Sequence, residues 1–314
     1  MILDGVRRVL SRLLWTVSTL FRWASVGLRG LAVAIDYLRL VLFDYRSRPD
    51  DIFIVTYPRS GTTWMQMILY QLTTDGDMTI GHIAEACPWF ERAAVNRRDL
   101  QKLPSPRVFK SHLPYGFMPK GRGKYLYVAR NGKDVAVSFY SFYKSHFRYR
   151  HGFERFFGDF MRGWVVYGSW FQHVRGWWKH RDRPNVLFLR YEDLVADLEG
   201  TIRRIIDFCG LEVPPEAMPR VLQRCSFDFM KQHELLFDHA AEVMWERGFT
   251  MNQFLRKGRV GDWTAYFTTE QEVQFDREFQ RRLGSLGLSW DGQAGQASRP
   301  SSREDVAPPP LASP

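Results

Sequence analysis

A short apolar run that breaks into a Pro- and Gly-containing turn and continues as a helix is the feature that most constrains this chain. It occupies residues 51–64, DIFIVTYPRSGTTW. Ile52, Phe53, Ile54 and Val55 are consecutive β-branched and aromatic residues, the composition of a strand buried on both faces of a parallel sheet. Pro58 fixes one backbone angle and Gly61 permits an unusual one, so the chain turns tightly there. Residues 62–72 then have the length and composition of a helix. A strand, a Gly-containing turn and a helix N-terminus make an anion site, because backbone N–H groups and the helix dipole converge on one point. Hydroxyls at Ser60, Thr62 and Thr63 add donors, and Arg59 adds a fixed positive charge. The chemistry is that of a phosphate cradle. Standing alone, the stretch also reads as an ordinary strand-turn-helix corner capped by Ser and Thr.

The usual nucleotide-triphosphatase loop has a Gly five residues before its second Gly and a Lys directly after it. Here those positions hold Thr56 and Thr62, and the cation lies two residues before Gly61, at Arg59.

The chain has 314 residues, 45% of them hydrophobic and 15% aromatic, so a sizeable core is available. One α/β domain of about 250 residues with terminal extensions is expected. A formal net charge of +10 favours an anionic partner. No nucleic-acid recognition module is visible, and the cations sit in phosphate-loop contexts, so a nucleic-acid partner is not expected. Cys87, Cys209 and Cys225 are too scattered for a disulfide framework or a zinc site, which makes a reducing, cytoplasmic setting the default.

Residues 1–43 form an amphipathic basic helical extension. Arg8, Arg22, Arg29 and Asp36 recur at multiples of seven between Leu13, Leu14, Val17, Leu20, Phe21, Ala24, Leu28, Leu31 and Ile35. Arg interrupts this segment too often for a clean membrane span. Three readings remain open: a helix at a membrane surface, a helix packed on the domain, and a signal-anchor.

The expected domain runs over residues 44–284. Strands are predicted at 107–112, 124–130 and 185–191. Helices are predicted at 135–147, over a long aromatic stretch at 158–181, and at 194–209 with Gly210 closing the last. Strands alternating with helices predict a P-loop-like central parallel sheet flanked by helices in a single domain. Polar residues at the carboxyl ends of the strands, Arg59, Lys110, His112, Arg130 and Tyr191, mark the edge where such sheets bind ligands. Residues 285–314, rich in Gly, Ser and Pro, read as a disordered tail.

Two weaker constellations accompany the cradle. Residues 130–134 (RNGKD) with Ser138 place a strand-end Arg and a helical Ser where a second anion would bind. Residues 254–263 (FLRKGRVGDW) form a flexible basic loop suited to closing over phosphate.

Together these stretches resemble the cytosolic-type sulfotransferase family, from about residue 51 to residue 280. Residues 56–64 look like its phosphosulfate loop, residues 110–114 (KSHLP) like its catalytic His segment, and residues 127–131 through Ser138 like its 3′-phosphate site. Residues 167–170 (YGSW), 191–193 (YED) and 256–263 also match, in the family's order. The resemblance implies sulfuryl transfer from 3′-phosphoadenosine 5′-phosphosulfate to a hydroxyl or amine of a small, partly apolar acceptor, without a metal. It implies His112 as general base, with Lys110 and Arg59 neutralising charge on the transferring group. Ser60, Gly61, Thr62 and Thr63 would bind the 5′-phosphosulfate. Arg130, Ser138, Arg256, Lys257 and Gly258 would hold the 3′-phosphate. Trp64 and Phe227 would sandwich adenine, with Tyr191 at its edge.

Three positions depart from the family pattern. Arg59 stands where the family usually has Lys; it keeps the charge but cannot give up a proton. Cys225 stands where Thr is usual. Thr264, Thr268, Thr269 and Val273 replace a short dimerisation motif without its two charges, so that dimer is not carried over. Two alternatives are weighed against this reading: a non-catalytic nucleotide-binding member of the fold, and an ATP-dependent P-loop kinase, which the missing post-Gly Lys disfavours. Tyr140, Phe142, Tyr143, Phe147, Phe237 and Trp245 are candidates for an apolar acceptor pocket.

Overall fold

An all-apolar strand has no face to offer water, and β1 (Ile52–Thr56) is accordingly buried at every residue. The computed structural model describes residues 2–24, 29–96, 98–237, 255, 258–288 and 290. Within them β2 (Val108–Ser111), β3 (Lys124–Ala129) and β4 (Val186–Arg190) join β1 in a parallel sheet ordered β2-β1-β3-β4. The expected α/β architecture with a central parallel sheet is what the chain forms. After β1 the chain lays β2 on one side and β3 on the other, so the strand order reverses at β1. The crevice outside the carboxyl ends of strands at such a reversal is where open α/β sheets bind ligands.

The helices follow in chain order: α1 (Ile2–Ala24), α2 (Arg29–Arg39), α3 (Thr62–Thr73), α4 (Phe90–Asn96), α5 (Gly132–His146), α6 (Phe153–Arg162), α7 (Trp170–Trp178), α8 (Tyr191–Ala196), α9 (Leu198–Cys209), α10 (Met218–Arg224), α11 (Phe227–Gln232) and α12 (Thr269–Leu283). Alternation along the strands splits the core. Ile52, Ile54, Leu126, Val128 and Leu189 face α3, α9 and α10. Phe53, Val55, Phe109, Tyr125 and Tyr127 face Phe90 of α4 and Trp177 of α7. The strand register sets Phe53 opposite both Phe109 and Tyr125, and its ring stacks on them at 5.1 and 5.3 Å. A third, aromatic cluster ties α5, α6, α7 and α12 together through Phe139, Phe156, Phe160, Trp170 and Phe275.

Several expectations are corrected. The long helix at 158–181 is two helices, because Gly163 takes φ +75° and ends α6 by bonding back to Asp159 and Phe160 carbonyls. Ser169 then caps α7 afresh through Gln172 N–H. The helix at 194–209 is likewise α8 and α9, with the Asp197 carboxylate capping Gly200 N–H at 2.8 Å. Gly210 closes α9 at φ +62°, as expected. Leu288 is buried, Trp178 donates its indole N–H to the Leu286 carbonyl, and Trp290 packs on Trp170 and Phe279. The packed chain therefore runs past residue 284, and residues 291–314 lie outside the described residues.

The start of the sheet is pinned by an ion pair with no solvent exposure. Arg107 Nε lies 2.7 Å from Asp51 Oδ1 and its Nη2 lies 2.8 Å from Oδ2, while Tyr45 O–H and Arg48 N–H donate to the same carboxylate. Each carboxylate oxygen is met by fixed donors, which is what lets the charge stay buried. Asp51→Asn leaves the Arg107 charge without its partner and is expected to cost about 3–5 kcal/mol in urea unfolding. Glu199→Gln, which breaks the exposed Arg203 pair on α9, is expected to cost less than about 1 kcal/mol.

Candidate active site

The turn after β1 is built from left-handed residues. Gly61 sits at φ +97°, where an added Cβ would lie 2.8 Å from the Tyr191 ring, so the close approach of this aromatic requires Gly. Arg59 also takes a positive φ of 69°, a conformation that costs a side-chain-bearing residue about 1–2 kcal/mol. The turn delivers the chain into α3, whose first-turn N–H groups point back at the end of β1. Ser60 Oγ is buried there with no hydrogen-bond partner among the described residues, an orphaned donor where an anion belongs.

Thr56, the last residue of β1, joins the turn to β2. Its hydroxyl lies 2.6 Å from Thr62 Oγ1 and 3.3 Å from His112 Nδ1, and its carbonyl lies 2.9 Å from that same nitrogen. A carbonyl accepts and never donates, so Nδ1 carries a proton, and in the neutral ring Nε2 holds the lone pair. The backbone of His112 is held as well. Its N–H donates to Glu91 Oε1 at 2.8 Å, and burial pushes the Glu91 carboxyl above the usual range. Its carbonyl lies 3.1 Å from His173 Nε2, and His173 Nδ1 lies 2.9 Å from Tyr127 Oη. Nε2 must therefore donate to the carbonyl while the Tyr127 hydroxyl donates to Nδ1. That is a neutral ring, and burial lowers its pKa to about 4. Glu91 and His173 escaped sequence reasoning. Their partners are 21 and 61 positions away, and no local pattern reports such pairs.

Trp89 and Tyr167 stand edge-on to the His112 ring at 5.3 and 5.2 Å. The Lys110 ammonium lies 4.2 Å from the Trp89 ring centroid, within cation–π range. Of the expected acceptor-pocket residues, Tyr140 is core, Tyr143 accepts Val166 N–H, and Phe142 stacks on His146. Phe237 is fully buried in the cluster beneath α3, and Trp245 lies outside the described residues.

The structure brings Arg59 and Ser138 together, with Nε 3.1 Å from Oγ and the guanidinium over Phe142. Arg130 ties two loops: Nη1 donates to the Arg59 carbonyl at 3.1 Å and Nη2 to the Arg259 carbonyl at 3.0 Å. Its plane lies over Tyr191, and its buried Nε has no partner among the described residues. Asp134, part of the 130–134 constellation but given no role of its own from the sequence, receives N–H groups of Gly261 and Trp263 at 2.8 and 3.1 Å and so anchors the 258–263 loop to α5. Arg256 and Lys257 lie outside the described residues. Gly258 takes φ +63° against Phe227, where a Cβ would come within 2.3 Å of the ring. Trp64 meets Tyr191 at 5.6 Å and donates its indole N–H to the Cys225 carbonyl at 2.7 Å. At position 225 it is thus the backbone, not the side chain, that reaches this cluster.

His173 gives a pH signature. Its folded pKa, about 4, lies below the free value of 6.5. The unfolded chain therefore binds its proton first, and the contribution is complete above about pH 6.5 and lost as pH falls towards 4. At roughly 1.4 kcal/mol per unit this is ~3 kcal/mol. Denaturant midpoints measured across that window should fall less steeply for His173→Gln than for the unaltered chain.

Residues 49–287 match the family model described as the sulfotransferase domain. Mouse sulfotransferase 1B1 is 36% identical over 274 residues, covering 82% of this chain and 90% of that protein. A crystal structure of mouse sulfotransferase SULT7A1 complexed with PAP superposes with a TM-score of 0.63 at 31% identity, covering 79% of this chain and 88% of that one. Retinol dehydratase in complex with androsterone and inactive cofactor PAP superposes with a TM-score of 0.70 at 26% identity, covering 82% and 88%. Matching strand, turn and loop over nearly the whole folded region, this chain belongs to the sulfotransferase family.

Proposed function

We propose that this enzyme transfers a sulfuryl group from 3′-phosphoadenosine 5′-phosphosulfate to a hydroxyl or amine of a small, partly apolar acceptor. The observation that carries the reading is the Thr56 carbonyl on His112 Nδ1, which leaves Nε2 as the basic nitrogen beside the cradle. The acceptor proton passes to Nε2 as the acceptor oxygen or nitrogen attacks sulfur. The bond from sulfur to the 5′-phosphate oxygen breaks, and that oxygen leaves with the electron pair. Arg59 and Lys110 neutralise the charge that develops, a contribution of the kind that dominates phosphoryl transfer.

Ser60, Gly61, Thr62 and Thr63 hold the 5′-phosphosulfate, and the orphaned Ser60 hydroxyl supports that role. Arg130, Ser138, Arg256, Lys257 and Gly258 hold the 3′-phosphate, supported by the unpaired Arg130 Nε. Trp64, Phe227 and Tyr191 bind adenine. Trp89 and Tyr167 form aromatic walls for the acceptor beside the base. The enzyme works in a cytoplasmic setting, in contact with a membrane surface through residues 1–43.

His112→Ala is expected to lower kcat by about 10²–10⁴-fold with labelled sulfuryl donor. The thermal shift produced by 3′,5′-adenosine bisphosphate should persist in that variant. Loss of the shift in the unaltered chain would remove the nucleotide assignment itself. Arg59→Ala is expected to lower kcat by about 10²–10³-fold, while Arg59→Lys, which restores a compact cation, stays within about tenfold. Activity appearing solely in Arg59→Lys would overturn the assignment of Arg59 as the working cation.

A further inference from the structure

Sulfuryl transfer makes no use of the N-terminal helical hairpin, and its packing is inside out. α1 turns two serine hydroxyls inward: Ser11 Oγ donates to Asp44 Oδ1 at 2.8 Å, and Ser18 Oγ meets the Ala32 carbonyl at 3.5 Å. Over the first half of the helix its apolar side faces away. Val6, Val9, Leu10 and Leu13 stand at the i, i+3, i+4, i+7 spacing that places them on one face, and each is 43–63% exposed. At 100° per residue they cover an arc of roughly 100°. The exposed Arg7 lies beyond one edge of this arc, and the exposed Arg12 and Arg8 lie beyond the other. Leu31, Leu38 and Leu42, on α2 and the turn after it, are exposed as well.

The hairpin is nonetheless fixed to the domain. Arg39 Nη2 donates to the Ala94 carbonyl of α4 at 2.8 Å, Arg39 pairs with Asp44, and Tyr37 O–H donates to the Phe117 carbonyl. A soluble amphipathic helix buries its apolar side against its own domain. This one presents that side outward from a rigid mount, with cations along both borders.

We infer that this face docks on an anionic lipid surface, the apolar arc entering the headgroup boundary while Arg7, Arg8 and Arg12 meet lipid phosphates. The inference deepens the membrane contact proposed for residues 1–43. Charge selects the occupant. A second copy laid on the same face would bring its own arginine borders against these, whereas anionic headgroups neutralise them. No described helix is long and apolar enough to cross a membrane, so the contact lies in the plane of the interface. α4, on which the hairpin is mounted, also carries Glu91, which holds the His112 backbone.

The test is co-sedimentation of the full chain with vesicles of phosphatidylcholine alone and of phosphatidylcholine with phosphatidylglycerol. Binding to the anionic vesicles is expected to be about tenfold tighter or more, and to weaken with salt. Leu10→Glu with Leu13→Glu should lose about tenfold or more on both vesicle types. Arg7→Gln, Arg8→Gln and Arg12→Gln together should bring the two vesicle types to similar affinity. The thermal shift given by 3′,5′-adenosine bisphosphate shows that each variant is folded. If the double Glu variant fails that check, Val9→Ser with Leu13→Ser takes its place and should lose binding in the same direction. The inference is overturned by equal binding to both vesicle types, by binding that survives every one of these variants, or by light scattering that shows a dimer closed by this face with no vesicle bound. Vesicle binding reads no chemistry, so failure of sulfuryl transfer and failure of docking are distinguishable.

Discussion

The site hangs on the last residue of β1. Thr56 sits where a strand buried on both sides ends and a left-handed turn begins, and it presents two polar groups in opposite tasks. Its hydroxyl meets Thr62 at the first turn of α3, and its carbonyl accepts the hydrogen bond of His112 Nδ1–H, one residue past the end of β2. One residue thereby couples the turn at the start of α3 to the tautomer of His112, the proposed base. The register of β1 with β2 is set by Phe53 opposite Phe109 and by the Asp51–Arg107 pair at the other end of the strands. A slip of one residue would turn every side chain of β1 to the wrong face and move His112 away from Thr56 together. The packing of the sheet and the protonation state of the base are thus parts of one arrangement.

A second junction closes the site from the far side. Arg130, at the end of β3, donates to carbonyls of both the 57–61 turn and the 258–261 loop, and Asp134 one helical turn later fixes that loop through two of its N–H groups. A cation that holds backbone carbonyls with its Nη atoms is oriented before any ligand arrives. Its remaining Nε is buried without a partner among the described residues, so a ligand that reaches it would pay little further entropic cost.

Local signals carried the strand, the turn, the helix start and the parallel sheet into view from sequence, because each is a short-range matter of apolar runs, Pro and Gly. The residues that hold the base in place were not legible. Glu91 acts through the backbone N–H of His112, and His173 acts through its carbonyl. Both reach His112 across 21 and 61 positions of sequence. The aromatic stretch at 158–181 misled for a related reason. Its aromatic composition reads as one helix, and the left-handed residues Gly163, Tyr167 and Gly168 divide it. The amphipathic pattern of residues 1–43 was visible, yet which side of α1 would face the domain depends on Asp44 and Ala32 meeting Ser11 and Ser18. That is a tertiary fact.

Arginine at position 59 changes the proton inventory of the site more than its charge. A guanidinium stays protonated at every working pH, so it neutralises without donating a proton. His173 is held neutral by burial, and both of its nitrogens are engaged. In the proposed reaction the proton taken from the acceptor therefore falls to His112. A phosphate oxygen is a stable anion near neutral pH, so the departing bisphosphate needs charge neutralisation rather than a general acid. On that ground Lys at position 59 is not required for the bond to break. In the proposed reaction the Arg59 side chain, held with Nε on Ser138 and its plane over Phe142, supplies charge without a proton transfer the leaving group does not need.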